Sequence, residues 1–309
     1  MERFCTGAAM AIKTLDDLLR AVQDRPRKRL AVAWANDAHT LEGVNAAVEA
    51  GLVEALLVGD EPTMRQVCQE LALPPERFCF IHAASDSEAA AKAVGLIRSG
   101  EADLLMKGLL STDKYMRAIL NKEQGLLEPG AILNHVTVME HPGHPKLIIA
   151  GDVAIIPEPD LKEKLAILAS LVRTAQALGI TLPKVAVLSA SEVVMPKLRS
   201  SAEAALMSKM AERGQIKGAL VDGPMALDGA LDPESARIKG MGGPVAGDAD
   251  CLLFPFLEAG NTFYKAGTKL GGAEVAAVVA GARVPCVLSS RGDSAKTKLS
   301  SIALAALLA

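Results

Sequence analysis

Short apolar runs rich in β-branched residues or leucine alternate with alanine-rich segments of helical period through most of the chain. That alternation is the pattern of βαβ units feeding a parallel sheet. Residues 30–35 read as a buried strand and 37–50 as a helix closed by Gly51, followed by strand 54–58 and helix 63–71 ahead of Pro74. Strands 78–82 and 103–107 come next, separated by a helix that starts near Ser85 and stops at Gly100. Over 132–156 the pattern changes: ILNHVTVM, KLIIAGD and VAII are strand-like, and HPGHP between them turns the chain as an antiparallel hairpin requires. Alternation resumes with helix 160–178, strand 184–188, helix 200–213, strand 216–221, helix 232–239 and strand 249–254. Two further helices are expected over 259–281, then a closing strand 285–289 and a last helix 293–309.

Length and composition narrow the class. A chain of 309 residues exceeds the usual size of one hydrophobic core, so two domains are expected. Half of its residues are hydrophobic and 22% are charged, an ordinary globular balance. A net charge of −3 and an aromatic set of one tryptophan, two tyrosines and six phenylalanines give nucleic acid neither an electrostatic footprint nor a stacking platform. The longest charge-free stretches, 129–139 and 299–309, are 11 residues each, short of a membrane span. Glu2 and Lys13 bracket the first apolar run, so no cleaved leader is expected and the chain is placed in the cytoplasm. Its five cysteines are unpaired by spacing and read as reduced and structural, with Cys79 and Cys286 inside apolar runs. The expected partner is a small molecule.

Glycine clusters are the usual sign of a phosphate loop, and neither standard fingerprint is present. In GMGGPV (240–245), Val245 stands where a dinucleotide loop needs its third glycine and Pro244 disturbs the helix start; no P-loop sequence occurs. His141 and His144 lack a nearby third ligand and read as a turn, while His39, His82 and His135 read as isolated side chains on separate elements, so no metal site is expected.

MKGLLSTDKYMR (106–117) is more informative, because it joins a strand end, a glycine turn and a Ser-Thr helix start. Helix N-terminal N–H groups and the hydroxyls of Ser111 and Thr112 suit an anion, and Lys107 and Arg117 supply full charges. A capped helix with solvated lysine and arginine is the competing reading of this segment alone. VLSSRGDSAKT (287–297) has the same construction, and two such strand ends in an open α/β sheet invite one shared anion site.

These residues also carry a family resemblance. PVAGDAD (244–250) followed by LEAGN (257–261) and Tyr264-Lys265, together with DGPMALDGALD, MKGLLSTDKYMR and SSRGDS, resembles the phosphate acyltransferases, which comprise the phosphate acetyltransferases and phosphate butyryltransferases. The similarity spans about 100–309, and the DGPMALD and MKG patterns are closer to the butyryl branch. The resemblance implies reversible transfer of a short acyl group between coenzyme A and inorganic phosphate. Coenzyme A is then a substrate, with no tightly bound cofactor, and the assembly is a homodimer or a higher homo-oligomer. It further implies an α/β fold of two α/β/α domains with a cleft between them, similar to the isocitrate and isopropylmalate dehydrogenases. The first domain would be 1–131 with 283–309 and the second 132–282.

By the same resemblance Ser290 lies near the coenzyme A sulfur, Arg291 and Arg117 on phosphate, and Asn261 and Lys265 on the coenzyme A substrate. Where the acetyl branch has an aspartate proposed to deprotonate the thiol, this chain has Thr297, and Phe256 replaces the usual polar residue after FP. Asp293 is the nearest carboxylate by sequence and is expected either to take that proton or to cap the last helix. Phosphate is largely anionic near neutral pH and needs positioning more than a base. No cysteine sits in a nucleophile motif, so direct attack in a ternary complex is expected. The rival readings are a dehydrogenase of the same overall fold and a non-catalytic protein that binds coenzyme A or an acyl phosphate.

Overall fold

Most helix starts among the described residues are set by single side chains that accept a backbone N–H otherwise left without a partner. In the computed structural model, which describes residues 12–288 and 294–309, Thr14 caps α1 (Leu15–Gln23) and Asp37 caps α2 (Ala38–Glu49). Asp60 caps α3 (Glu61–Glu70) and Ser85 caps α4 (Asp86–Arg98). Between these helices run β1 (Lys28–Ala33), β2 (Val53–Gly59), β3 (Phe78–His82) and β4 (Leu104–Lys107). Ser111 starts α5 (Thr112–Leu120), after which β5 (Asn134–Glu140) and β6 (Ile148–Gly151) pair antiparallel, with Thr137 opposite Ala150. HPGHP is the turn between them, closed by the His144 N–H on the His141 carbonyl at 3.0 Å.

The second half alternates α6 (Leu161–Ala177), β7 (Lys184–Leu188), α7 (Arg199–Glu212), β8 (Leu220–Met225), α8 (Leu227–Leu231), α9 (Pro233–Ile238), β9 (Cys251–Leu253) and α10 (Leu257–Lys269). Then come β10 (Glu274–Ala280), β11 (Cys286–Val287) and α11 (Ala295–Leu308). The second helix expected within 259–281 is therefore a strand, β10. Alanine supplies the helical composition there, but Val275, Val278 and Val279 are β-branched and all buried, and a seven-residue run suits a strand covered on both faces. Cys79 departs from its apolar-run reading as well, because β3 is an edge strand and leaves that thiol exposed.

Among the described residues the strands form one sheet in the order β3-β2-β1-β4-β11-β10-β5-β6-β9-β7-β8. The strands from β3 to β11 run parallel, β10 is antiparallel to both of its neighbours, and β6, β9, β7 and β8 run parallel to one another. No helix among the described residues is long and apolar enough to cross a membrane.

The two sheet faces are covered differently. One carries a continuous core that includes Val32, Met106, Val136, Val278 and Ile302. The other carries two separate clusters, one with Leu105, Tyr115 and Val279 and one with Met139, Val275 and Leu252. Side chains alternate along a strand. Ala277 therefore sits between Val279 of one cluster and Val275 of the other, and His135 and Thr137 precede Met139 on that same face of β5. The gap between the clusters is the structural origin of the cavity described next.

Tyr115 ties the first cluster to the sheet. Its buried hydroxyl lies 3.3 Å from the carbonyls of both Leu105 and Val287, on adjacent strands β4 and β11, and burial raises its pKa well above that of a free phenol. Tyr115→Phe is expected to lower unfolding free energy by about 0.5–1.5 kcal/mol without changing the far-UV circular dichroism, as read by urea denaturation.

Candidate active site

A cavity of about 590 Å³ opens where β4 and β11 end beside the longer β10. Its first wall is the turn after β4. Gly108 is needed there for space: a Cβ would stand 2.4 Å from the Trp34 carbonyl oxygen and 2.8 Å from that of Ala33. Instead the Gly108 N–H donates to the Ala33 carbonyl at 2.9 Å and the Leu109 N–H to the Trp34 carbonyl at 2.8 Å, locking the turn onto the end of β1. Lys107 is buried, and its Nζ donates to the Gly108 and Leu110 carbonyls at 3.2 and 3.0 Å. Ser111 follows as the N-cap of α5, its Oγ accepting the Lys114 N–H at 3.3 Å. Lys114 in turn pairs with Asp86 of α4 at 2.7 Å, which with Tyr115 fixes the tilt of the helix start.

The opposite wall is organised by Asp152, a residue the sequence reading passed over. Only 2% of it is exposed. One carboxylate oxygen accepts the His135 N–H at 2.8 Å, and the other accepts the N–H groups of Ala154 and Ile155, each at 2.8 Å. The loop after β6 is thereby bound to the start of β5, which delivers His135, Val153 and Ala154 to the cavity lining. Asn261 of α10 continues the chain of contacts, its Nδ2 donating to the Val153 carbonyl at 3.1 Å. Gly260 makes that approach possible, because a Cβ there would stand 2.3 Å from the Asp152 carbonyl oxygen. This steric demand explains the glycine of LEAGN.

The third wall comes from α10 and α11. Tyr264, Lys265, Thr268 and Lys269 line the cavity from α10, and Thr297 and Ser301 from α11. Ser301 closes the notch left by the short β11: its Oγ accepts the Ala277 N–H at 3.0 Å and donates to the Thr297 carbonyl at 2.7 Å. The helix itself is capped by Ser294, which accepts the Thr297 N–H at 3.1 Å.

Of the residues singled out from sequence, Lys107, Ser111, Thr112, Asn261 and Lys265 are brought to this one cavity. Ser290, Arg291 and Asp293 lie outside the described residues. Arg117 is not part of the lining. It stands on the solvent side of α5, 3.0 Å from Asp113, with 77% of its side chain exposed. The reason is helical phase: two residues beyond the buried Tyr115 is a rotation of about 200°, which points Arg117 away from the sheet.

The PVAGDAD motif has a structural task rather than a place in the cavity. Asp250 accepts the Lys184 N–H at 2.9 Å and pairs with Lys146 at 2.7 Å. Asp248 is held below the usual carboxylate range by hydrogen bonds from Lys146 and then Lys184. These contacts pin the ends of β6, β7 and β9 together.

Among the described lining residues the charged side chains are Lys107, Lys265 and Lys269, and no carboxylate joins them. Leu110, Val153, Ala154, Ala277 and Leu288 make up an apolar portion. The arrangement can take a multiply charged anion beside a short apolar group.

Comparison with known proteins agrees with this chemistry. The family model described as Phosphate acetyl/butaryl transferase matches residues 80–306. A phosphate butyryltransferase from Clostridium acetobutylicum is 43% identical over 298 residues, covering 96% of this chain and 99% of that protein. A phosphate acetyltransferase from Rhizobium meliloti is 44% identical over 294 residues, covering 95% of this chain and 93% of that protein. Among solved structures, a branched-chain phosphotransacylase from Enterococcus faecalis V583 superposes with a TM-score of 0.80 at 30% identity, covering 91% of this chain and 98% of that one.

The Asp152 contacts yield a direct test. In Asp152→Asn one of the two oxygen positions becomes an NH₂ group that cannot accept the N–H facing it. A loss of about 1–3 kcal/mol of stability is expected, measured by chemical denaturation, together with a fall in affinity for anions at the cavity read by phosphate protection against thermal unfolding.

Proposed function

Because the chain belongs to the phosphate acetyl/butyryl transferase family, we infer that this cavity is where it carries out the reversible reaction of acyl-CoA with inorganic phosphate to give an acyl phosphate and coenzyme A. The observation that supports this placement is the convergence of Lys107, Ser111, Thr112, Asn261 and Lys265 on one cavity whose described lining holds lysines and no carboxylate. Phosphate sits against Lys107 and the start of α5, where full and partial positive charge hold a dianion without a base. Lys265 and Asn261 contact the coenzyme A substrate, and the acyl group is butyryl or another short chain packed against Leu110, Val153, Ala277 and Leu288.

By the resemblance, Arg291 neutralises phosphate and Ser290 stabilises the sulfur that leaves. Phosphate oxygen attacks the thioester carbonyl directly in a ternary complex. The described cysteines support direct attack, since none lines the cavity. Cys68, Cys251 and Cys286 are buried, and burial pushes the Cys286 thiol up to about 12. A thiol so protonated is a poor nucleophile.

The proposal also divides the chain into 1–131 with 283–309 and 132–282, as two α/β/α units of the isocitrate and isopropylmalate dehydrogenase type. The lining supports this division, with Lys107, Ser111, Leu288 and Thr297 from one part and His135, Val153, Asn261 and Ala277 from the other. Homodimeric assembly and a cytoplasmic location complete the proposal.

The reading is tested by thiol release from acetyl-, propionyl-, butyryl- and branched acyl-CoA. Release is expected only when phosphate is present, with the highest kcat/KM for a four-carbon or similar chain; release independent of phosphate would refute it. Arg291→Ala is expected to lower kcat/KM for phosphate by roughly 10- to 150-fold, the equivalent of about 1.5–3 kcal/mol, and Arg291→Lys should not restore it. Arg117→Ala is expected to change the phosphate KM less than about twofold, as an exposed ion pair implies.

A further inference from the structure

We propose that His135 is the proton acceptor for the coenzyme A thiol when the reaction runs toward acyl-CoA, and the donor to the departing thiolate in the other direction. This assignment rests on the acyltransferase reading above and supplies the step for which Thr297 is chemically unsuited. Three observations carry it.

His135 lines the same cavity as Thr297. It lies on a central strand and is only 4% exposed. Its backbone N–H donates to the Asp152 carboxylate at 2.8 Å, which anchors the strand start that carries the ring. The remaining titratable groups on the described lining are Lys107 from β4 and Tyr264, Lys265 and Lys269 from α10, with Ser111, Thr112, Thr297 and Ser301 as the hydroxyls. A lysine ammonium has no lone pair to offer and a hydroxyl is too weakly basic, whereas an imidazole ring carries a nitrogen that can accept a proton and give it back. Among the described lining residues, His135 alone combines that chemistry with that place.

The step balances without a further reactant. The thiol proton moves to a ring nitrogen as the sulfur forms a bond to the acyl carbonyl carbon. The tetrahedral species then collapses, the bond from carbon to the phosphate oxygen breaks, and phosphate leaves with the electron pair. The imidazolium returns its proton to phosphate or solvent. In reverse, the imidazole takes a proton from the incoming phosphate or from solvent, phosphate oxygen attacks the thioester, the carbon–sulfur bond breaks, and the imidazolium protonates the thiolate. His135 therefore touches the reacting sulfur, whereas Asp152, which acts through the backbone of His135, is a positioning residue.

The test is the pH dependence of kcat/KM for acyl phosphate plus coenzyme A between pH 6 and 9, on the native chain and on His135→Gln, His135→Asn and Asp293→Asn. The native profile is expected to fall on an acidic limb as the imidazole protonates. The His135 variants are expected to lose about 100-fold or more at pH 7 and to recover by about tenfold per pH unit toward the thiol pKa near ~8.5. Their acyl phosphate KM should be unchanged, and Asp293→Asn should keep the native profile shape. A His135 variant with the native profile shape, or the rising profile appearing in Asp293→Asn instead, would overturn the assignment. If neither His135 variant folds, the native profile decides, because the absence of an acidic limb near the imidazole range contradicts an imidazole base. Failure of the acyltransferase reading is separately visible as no phosphate-dependent transfer by the native chain.

Discussion

The cavity depends on one buried carboxylate. Asp152 accepts N–H groups from His135, Ala154 and Ile155, three backbone donors from two segments that no sheet ladder joins at that point. Burying a carboxylate is costly unless its oxygens are satisfied by donors, and here the donors come from the segments the site must bring together. Removing the contact would free the loop after β6, and with it the Val153 carbonyl on which Asn261 rests. Gly260 belongs to the same construction, since the Asp152 carbonyl occupies the space a side chain would need.

A second constraint decides where the cavity lies. The continuous core on one sheet face leaves the opposite face to two clusters, and between them β5 and β10 present His135, Thr137 and Ala277. β11 spans only Cys286–Val287, which leaves the Ala277 N–H without a strand partner; Ser301 supplies one from α11. An anion-accepting space thus arises at carboxyl strand ends, where ligands of open α/β sheets bind, while the apolar cover on either side keeps the frame rigid. Lysines with backbone partners, such as Lys107 on the Gly108 and Leu110 carbonyls, are held in place rather than waving in solvent.

Much of this was legible in the sequence, for reasons that differ by element. The alternation of strands and helices is written by period and by caps, so β1 to β4 and their helices follow from 30–107 within a few residues. The 274–280 strand was hidden because alanine reads as helix, and only neighbours in the sheet reveal that its valines are covered on both faces. Lys107, Ser111 and Thr112 were found from a local motif, whereas Asp152 and His135 carry no local signature: GDVAII and LNHVTV read as plain strand. Their meeting is set by the pairing of β5 with β6, which the hairpin pattern predicted without showing which polar residues it would bring together. Arg117 comes from the same motif but stands on the solvent side of α5, because proximity in sequence to a helix start says nothing of the phase that turns a side chain toward or away from the cavity.

The central claim is that both substrates occupy one cavity and react there directly. Initial rates of thiol release with acyl-CoA and phosphate varied together test it most directly. Direct transfer in a ternary complex predicts double-reciprocal lines that intersect as phosphate is changed. Parallel lines would require an acyl-enzyme to form and coenzyme A to leave before phosphate binds, and would contradict the account.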